Sequence, residues 1–294
     1  MADKNGKGPR PPQVVSALRG SVDQSARAGQ MELHIQKNVT RWMRRVARRV
    51  YPPAYVLGRV ACLGQEVFGR LCRPAGRMLP RRSALLNMQK VRVDLLMEEI
   101  AAAGRERVNR AQAARVMGHL ARKDVTWLIE QQQRLIWLEH RQPVAFCLMD
   151  SFAELTDQQF RHRREGWSFC CHYSDLNHTP EFEAEFECLG LLPVERIETA
   201  YRRFFEWFAG AHAGVKVYFV HFPAALDGRA AFKERAGVIR EAIKSFGQEH
   251  AFIKPVVMAD DDVKKAPGDD FAYHFAPETF ERFAGLVEGA HGAH

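Results

Sequence analysis

From residue 143 onward the chain changes its hydrophobic period, and that change limits the available folds more than any other feature. Short apolar runs at Val144–Met149, Ser168–Tyr173, Val215–Phe222 and Phe252–Met258 have the length and the β-branched or aromatic content of buried strands. Helical segments lie between and after them, at Ala153–Arg163, Glu181–Leu189, Val194–Ala209, Arg229–Phe246 and from about Pro277 to Val287. Strands alternating with helices predict an α/β domain, with a mostly parallel sheet flanked by helices. Ahead of residue 143 the pattern is helical. Trp42, Met43, Val46 and Val50 recur at helical spacing among Arg41, Arg44, Arg45, Arg48 and Arg49. Further helical runs are expected over Tyr55–Leu71, Ser83–Ala103, Asn109–Ala121 and Val125–Glu139, separated in part by Pro52-Pro53, Pro74 to Gly76 and Pro80.

Charge divides at the same place. Residues 1–140 carry 26 Lys and Arg against 11 Asp and Glu, a net of +15, whereas residues 141–294 carry 17 against 24, a net of −7. The expected organisation is a flexible basic tail over 1–30, a basic all-helical region over 31–141 and the α/β domain over 142–294. A composition that is 46% hydrophobic is enough for a sizeable core and argues against global disorder. Cys62, Cys72, Cys147, Cys170, Cys171 and Cys188 match no disulfide framework and form no C-x-x-C pair, which argues against a structural zinc site. Met1 to Pro12 lacks the apolar core of a signal peptide. No run approaches the roughly 18 apolar residues of a membrane-spanning helix. The expected setting is reduced and cytoplasmic, with the basic helices able to lie against the inner face of the membrane.

Two polar groups stand out where apolar runs end. Pro143 to Met149 runs directly into Asp150-Ser151, which places a serine hydroxyl at the carboxyl end of a buried strand, where open α/β sheets gather their ligands. The ordinary alternative for Ser151 is an N-cap of the next helix. Late in the chain, Asp269-Asp270 and His274 precede a helix start at Pro277-Glu278. Serine needs an adjacent base, histidine suits that task near neutral pH, and a carboxylate fixes the imidazole tautomer. A third cluster, His172 to Pro180, contains Asn177 and His178, although Thr179-Pro180-Glu181 also reads as a helix cap. His221 follows the third apolar run as a cleft or rim residue. Asp260-Asp261-Asp262, beside Lys264-Lys265, reads as a solvated loop in preference to a metal site.

Met149-Asp150-Ser151-Phe152 and His274-Phe-Ala-Pro277-Glu278 resemble the first and last motifs of the SGNH/GDSL-type hydrolases and their acyltransferase relatives. In that family the serine follows an Asp after the first strand, and an Asp and a His precede the last helix. The resemblance covers roughly residues 143–290 and implies an SGNH-like three-layer α/β domain. It implies Ser151 as nucleophile, His274 as base and Asp270, or else Asp269, as the orienting acid. The Ser151 amide and the Asn177 side chain would form the oxyanion hole, with Asp150, His178 and His221 bordering the cleft. No metal or cofactor is implied. Met149 stands where the family has glycine, Leu176-Asn177-His178 replaces its Gly-x-Asn-Asp, and Asp270 and Asp269 precede His274 by four and five residues where the family has three.

The implied activity is serine-dependent ester hydrolysis or acyl transfer on an acylated substrate of carbohydrate or polysaccharide type, the carbohydrate resting on analogy. The alternative is an inactive SGNH-like scaffold or binding protein. Its basic helices, within residues 31–140, would engage an anionic membrane surface or a protein partner, or pack and self-associate. No helix-turn-helix, zinc-finger or RNA-recognition signature supports nucleic acid as the partner.

Overall fold

The computed structural model describes residues 54–72, 78–80, 83–102, 110–121, 132, 136–140, 142–269 and 271–292. The expected tail over 1–30 and the first arginine-rich helix lie outside the described residues, as does Asp270. In chain order the elements are β1 (Tyr55–Arg59), α1 (Cys62–Leu71), β2 (Ala84–Asn87), α2 (Val93–Ala101), α3 (Arg110–Met117), α4 (Ile136–Glu139), β3 (Val144–Asp150), α5 (Phe152–Thr156), β4 (Asp157–His162), β5 (Ser168–His172), α6 (Pro180–Glu185), β6 (Phe186–Gly190), α7 (Val194–Ala211), β7 (Val217–Val220), α8 (Ala230–Glu249), β8 (Ile253–Val256) and α9 (Pro277–Gly292).

Five strands form an all-parallel sheet in the order β2-β1-β3-β7-β8. The order reverses between β1 and β3, so that gap is the topological switch point. Parallel neighbours need crossover connections, which are right-handed, and this sends helices to both faces. α2 packs on α7 and α7 on α8, while α1 packs on α9. α7 turns Ile197, Ala200, Tyr201, Phe204, Phe205 and Phe208 into the core at helical spacing. Each phenylalanine buried this way contributes about 1.5–3 kcal/mol. β8 ends the sheet and carries Pro255, a residue that fits an edge strand because it has no N–H for a further neighbour.

A second, antiparallel sheet in the order β5-β4-β6 is inserted between α5 and α7. It has its own core, in which Phe160, Phe169, Phe182 and Phe186 pack with Val116, Leu120, Cys171 and Leu176. Among the described residues no helix is long and apolar enough to cross a membrane. Among the described residues, which include all six cysteines, no disulfide is formed.

The α/β fold is as the alternation predicted, but its limits differ. Ala54–His294 is one compact unit, so the boundary expected near residue 142 falls inside it. Tyr55–Arg59 and Ala84–Asn87 open segments expected to be wholly helical, yet they are strands, and β1 hydrogen-bonds to β3 across that boundary. Both segments carry apolar residues that suit either period. Tertiary pairing decides between them, helped by Gly58, where a Cβ would lie 2.7 Å from Leu85 Cδ1. The helix expected over Ala153–Arg163 stops at Thr156 and continues as β4, and the one over Glu181–Leu189 stops at Glu185 and continues as β6. In β4, Phe160 and His162 are buried and Arg161 is exposed, the period-two alternation of a strand.

Candidate functional site

Asp150 and Ser151 close the carboxyl end of β3, the central strand, and each is only 2% exposed. Asp150 Oδ2 accepts the Ala61 N–H at 2.7 Å and Oδ1 accepts the Phe152 N–H at 3.2 Å. Its carboxylate therefore satisfies a free donor at the start of α1, which helix N-termini leave open. Burial pushes Asp150 up to about 6, against the downward pull of the Ala61 amide and Arg59. Ser151 occupies the N-cap position of α5 but makes no side-chain cap bond. Its Oγ instead accepts the Phe222 N–H at 3.0 Å and so ties the end of β3 to the chain leaving β7. β3 is the third strand of its sheet in chain order. The residues leaving β1 are Val60-Ala61, which bear no hydroxyl.

The loop before α9 does reach this end of the sheet, but with a different residue turned inward. The Tyr273 ring packs 5.6 Å from Phe152 and 5.7 Å from Phe222, and Phe275 packs 5.4 Å from Phe222. His274, between them, points the other way and its side chain is 57% exposed. Alternate residues of an extended segment face opposite sides. His274 Nδ1 donates to Asp269 Oδ2 at 2.5 Å. Asp269 also accepts the Phe271 N–H at 2.8 Å, and these two bonds, the amide's first, hold its carboxyl below the ordinary value. No hydrogen bond joins Ser151 to His274, and Asp270 is outside the described residues.

Asn177 and His178 belong to the inserted sheet. Asn177 is exposed, its N–H donates to the His119 carbonyl at 2.6 Å, and its Nδ2 lies 3.5 Å from the Leu120 carbonyl. His178 stacks on Tyr173 at 3.7 Å and its Nε2 donates to the Tyr173 carbonyl at 2.9 Å. Thr179 caps α6 by accepting the Phe182 N–H at 3.3 Å. Neither Asn177 nor His178 bonds to Ser151.

Two buried polar groupings stand near the same edge. Arg59, at the end of β1, donates to Glu154 Oε1 at 2.6 Å and Oε2 at 3.1 Å, to the Val91 carbonyl at 2.8 Å, to the Asp150 carbonyl at 3.0 Å and to Tyr201 at 3.2 Å. Glu154 also accepts from Tyr201 Oη at 2.7 Å and from the Val93 N–H at 2.8 Å, so both its oxygens are engaged, while Arg59 Nε is buried with no hydrogen-bond partner. The second grouping joins Asp157, Lys90 and Asp175. Lys90, with a φ of 54°, donates to Asp175 Oδ2 at 3.1 Å. Asp157 accepts from Thr156 Oγ1 at 2.9 Å, while its Oδ2 is buried with no hydrogen-bond partner. Burial pushes Asp157 up to about 7, against the pull of Lys90 and Thr156.

With Arg59, Val60, Ala61, Asp150 and Ser151 all at or below 3% exposure, the switch-point crevice is filled by the chain itself. Open space lies farther along the sheet. A cavity of about 430 Å³ sits at the carboxyl ends of β7 and β8, lined by Ala224, Ala225, Leu226, Lys233, Arg240, Asp260 and Asp261. A small chamber of about 10 Å³ shares its Ala224, Arg240 and Asp260 walls and reaches back to His221. His221 is 6% exposed, and its Nε2 is buried without a hydrogen-bond partner. Burial first, and the Arg240 charge second, lower its pKa to about 3, so the ring is neutral. Sequence reasoning placed His221 at a cleft but missed Lys233 and Arg240. The available signal was their spacing, two helical turns apart on one face of α8.

No protein-family model matches this chain, and no curated protein matches it. Fold and site together define a parallel α/β protein with a filled switch point and an open, polar cavity at the carboxyl edge of its last two strands.

Proposed function

We propose that this chain is a ligand-binding α/β protein in which Ser151 is structural and the ligand sits at the carboxyl edge of β7 and β8. The observation that carries this reading is the Ser151 hydroxyl, buried and engaged by the Phe222 amide at 3.0 Å, with no hydrogen bond to a histidine or carboxylate among the described residues. An activated serine needs its Oγ within reach of a general base. The cavity beside His221 supplies a place for binding that does not involve that serine. The test is labelling of the folded full-length protein by a fluorophosphonate probe. The binding reading expects no labelling of wild type.

A second reading, serine-dependent ester hydrolysis or acyl transfer, is favoured by one observation. Asp269 holds His274 through Nδ1, the orientation that presents Nε2 as a base, and the same loop packs beside Ser151 through Tyr273 and Phe152. The same experiment separates the two. Labelling lost in both Ser151→Ala and His274→Ala would make the serine a nucleophile and overturn the binding reading. The carbohydrate substrate and the membrane or protein partner of the basic N-terminal region remain proposals attached to these readings.

A further inference from the structure

The cavity at the ends of β7 and β8 has a lining of unusual balance. Lys233 and Arg240 reach it from α8, and neither makes a side-chain hydrogen bond or ion pair with any described residue. Asp260 and Asp261 face it from the turn after β8, and their carboxylates are likewise unpaired, whereas the neighbouring Asp262 is taken by Arg282 at 2.7 Å. Two cations and two carboxylates thus share one cavity without neutralising each other. A bare anion would meet the aspartates, and a bare cation would meet the lysine and arginine. The lining suits a molecule that is anionic at one end and rich in hydrogen-bond donors at the other.

Charge and geometry narrow the class. A phosphate monoester carries about −1.5 to −2 near neutral pH, a match for two cationic side chains that a single carboxylate lacks. Arginine's fork binds phosphate oxygens in pairs, and lysine adds a point charge. Carboxylates accept hydrogen bonds from vicinal hydroxyls. His221, 94% buried and with its Nε2 left without a hydrogen-bond partner, supplies the second, independent sign of a ligand. A buried polar atom left unpaired is costly, and a neutral imidazole nitrogen is satisfied by a hydroxyl or a water whichever tautomer it adopts. The small chamber at its edge, about 10 Å³, is the size of one such group. The larger chamber, about 430 Å³, falls in the range of small-molecule sites.

We infer that this cavity binds a phosphorylated polyol of the sugar-phosphate class, with Lys233 and Arg240 on the phosphate, Asp260 and Asp261 on the hydroxyls, and His221 met by a hydroxyl or a retained water. The inference rests on the binding reading above and names its ligand class.

Isothermal titration of the full-length chain with triose, pentose and hexose monophosphates tests it, using the unphosphorylated sugars and inorganic phosphate for comparison. The expected result is saturable binding of at least one sugar phosphate, with the matching free sugar weaker by at least about tenfold. Lys233→Gln with Arg240→Gln should weaken the sugar phosphate by a similar factor. Asp260→Asn with Asp261→Asn should weaken it too, yet leave inorganic phosphate unchanged or tighter, because a like charge is removed. All four side chains are exposed or half-buried, so the variants are expected to fold, and circular dichroism checks that they do. Absence of saturable binding by every monophosphate overturns the inference, as does binding that neither double variant alters. Either failure leaves an unlabelled Ser151 and the binding reading intact. A labelled Ser151 overturns that reading independently of any titration.

Discussion

Ser151 was legible as a residue of interest because a polar dipeptide ends an apolar run, but its partner was not. A hydrogen bond to the Phe222 amide, 71 residues away, depends on β3 and β7 lying side by side. Ser151→Ala would leave that buried N–H unpaired and should cost about 1–3 kcal/mol, read from urea denaturation. A nucleophile held for chemistry would give the opposite, an unchanged or more stable variant. Asp157 gives a second prediction at this scale. In the folded chain it keeps its proton up to about pH 7, whereas the unfolded chain releases it near the ordinary 3.8. Between those values the folded state binds more protons, so this contribution to stability falls as pH rises and levels off above about 7. Asp157→Asn cannot titrate. It should therefore lose less stability than wild type between about pH 5 and pH 8. Equal losses in the two proteins would show that Asp157 ionises normally.

At the scale of elements, close approach decides what a period alone leaves open. α1 starts against the ends of β1 and β3, and Gly64 lets it do so. A Cβ there would lie 2.4 Å from Val60 Cβ and 3.1 Å from Asp150 Oδ2. Gly64→Ala should destabilise by about 1–3 kcal/mol, as overpacking does, although alanine is the better helix former. A thermal midpoint equal to wild type would mean that α1 can shift without penalty. The long helices α7, α8 and α9 were readable because many turns repeat one apolar face. β4 and β6 were not, since five or six residues carry too few repeats to separate a strand from the end of a helix. β1 and β2 failed for the same reason, their apolar residues reading as the start of the helical runs that follow them.

For the whole molecule, the Arg59–Glu154 pair is the polar tie across the core. It joins β1, the loop at Val91, α5 and, through Tyr201, α7. Glu154→Ala would leave the guanidinium buried without its counter-ion and should cost about 3–5 kcal/mol in denaturant unfolding. Replacing both members with apolar residues, Arg59→Met and Glu154→Leu, should cost clearly less, because no buried charge is then left alone. A double variant as unstable as the single one would assign the cost to packing instead.

The sequence by itself determined the α/β class, a buried strand at Val144–Met149 and the three long helices, because each follows from local periodicity, whereas the central place of that strand came from the sheet order. It also marked the loop at residues 269–275 as one that matters. Only the tertiary structure decided which way that loop faces: Tyr273 packs inward against Phe152 and Phe222, and His274 turns outward onto Asp269. It likewise placed the open cavity at β7 and β8, since the switch point is filled by Arg59 and Asp150. Such outcomes depend on contacts between residues far apart in the chain, and no local pattern records which strands become neighbours.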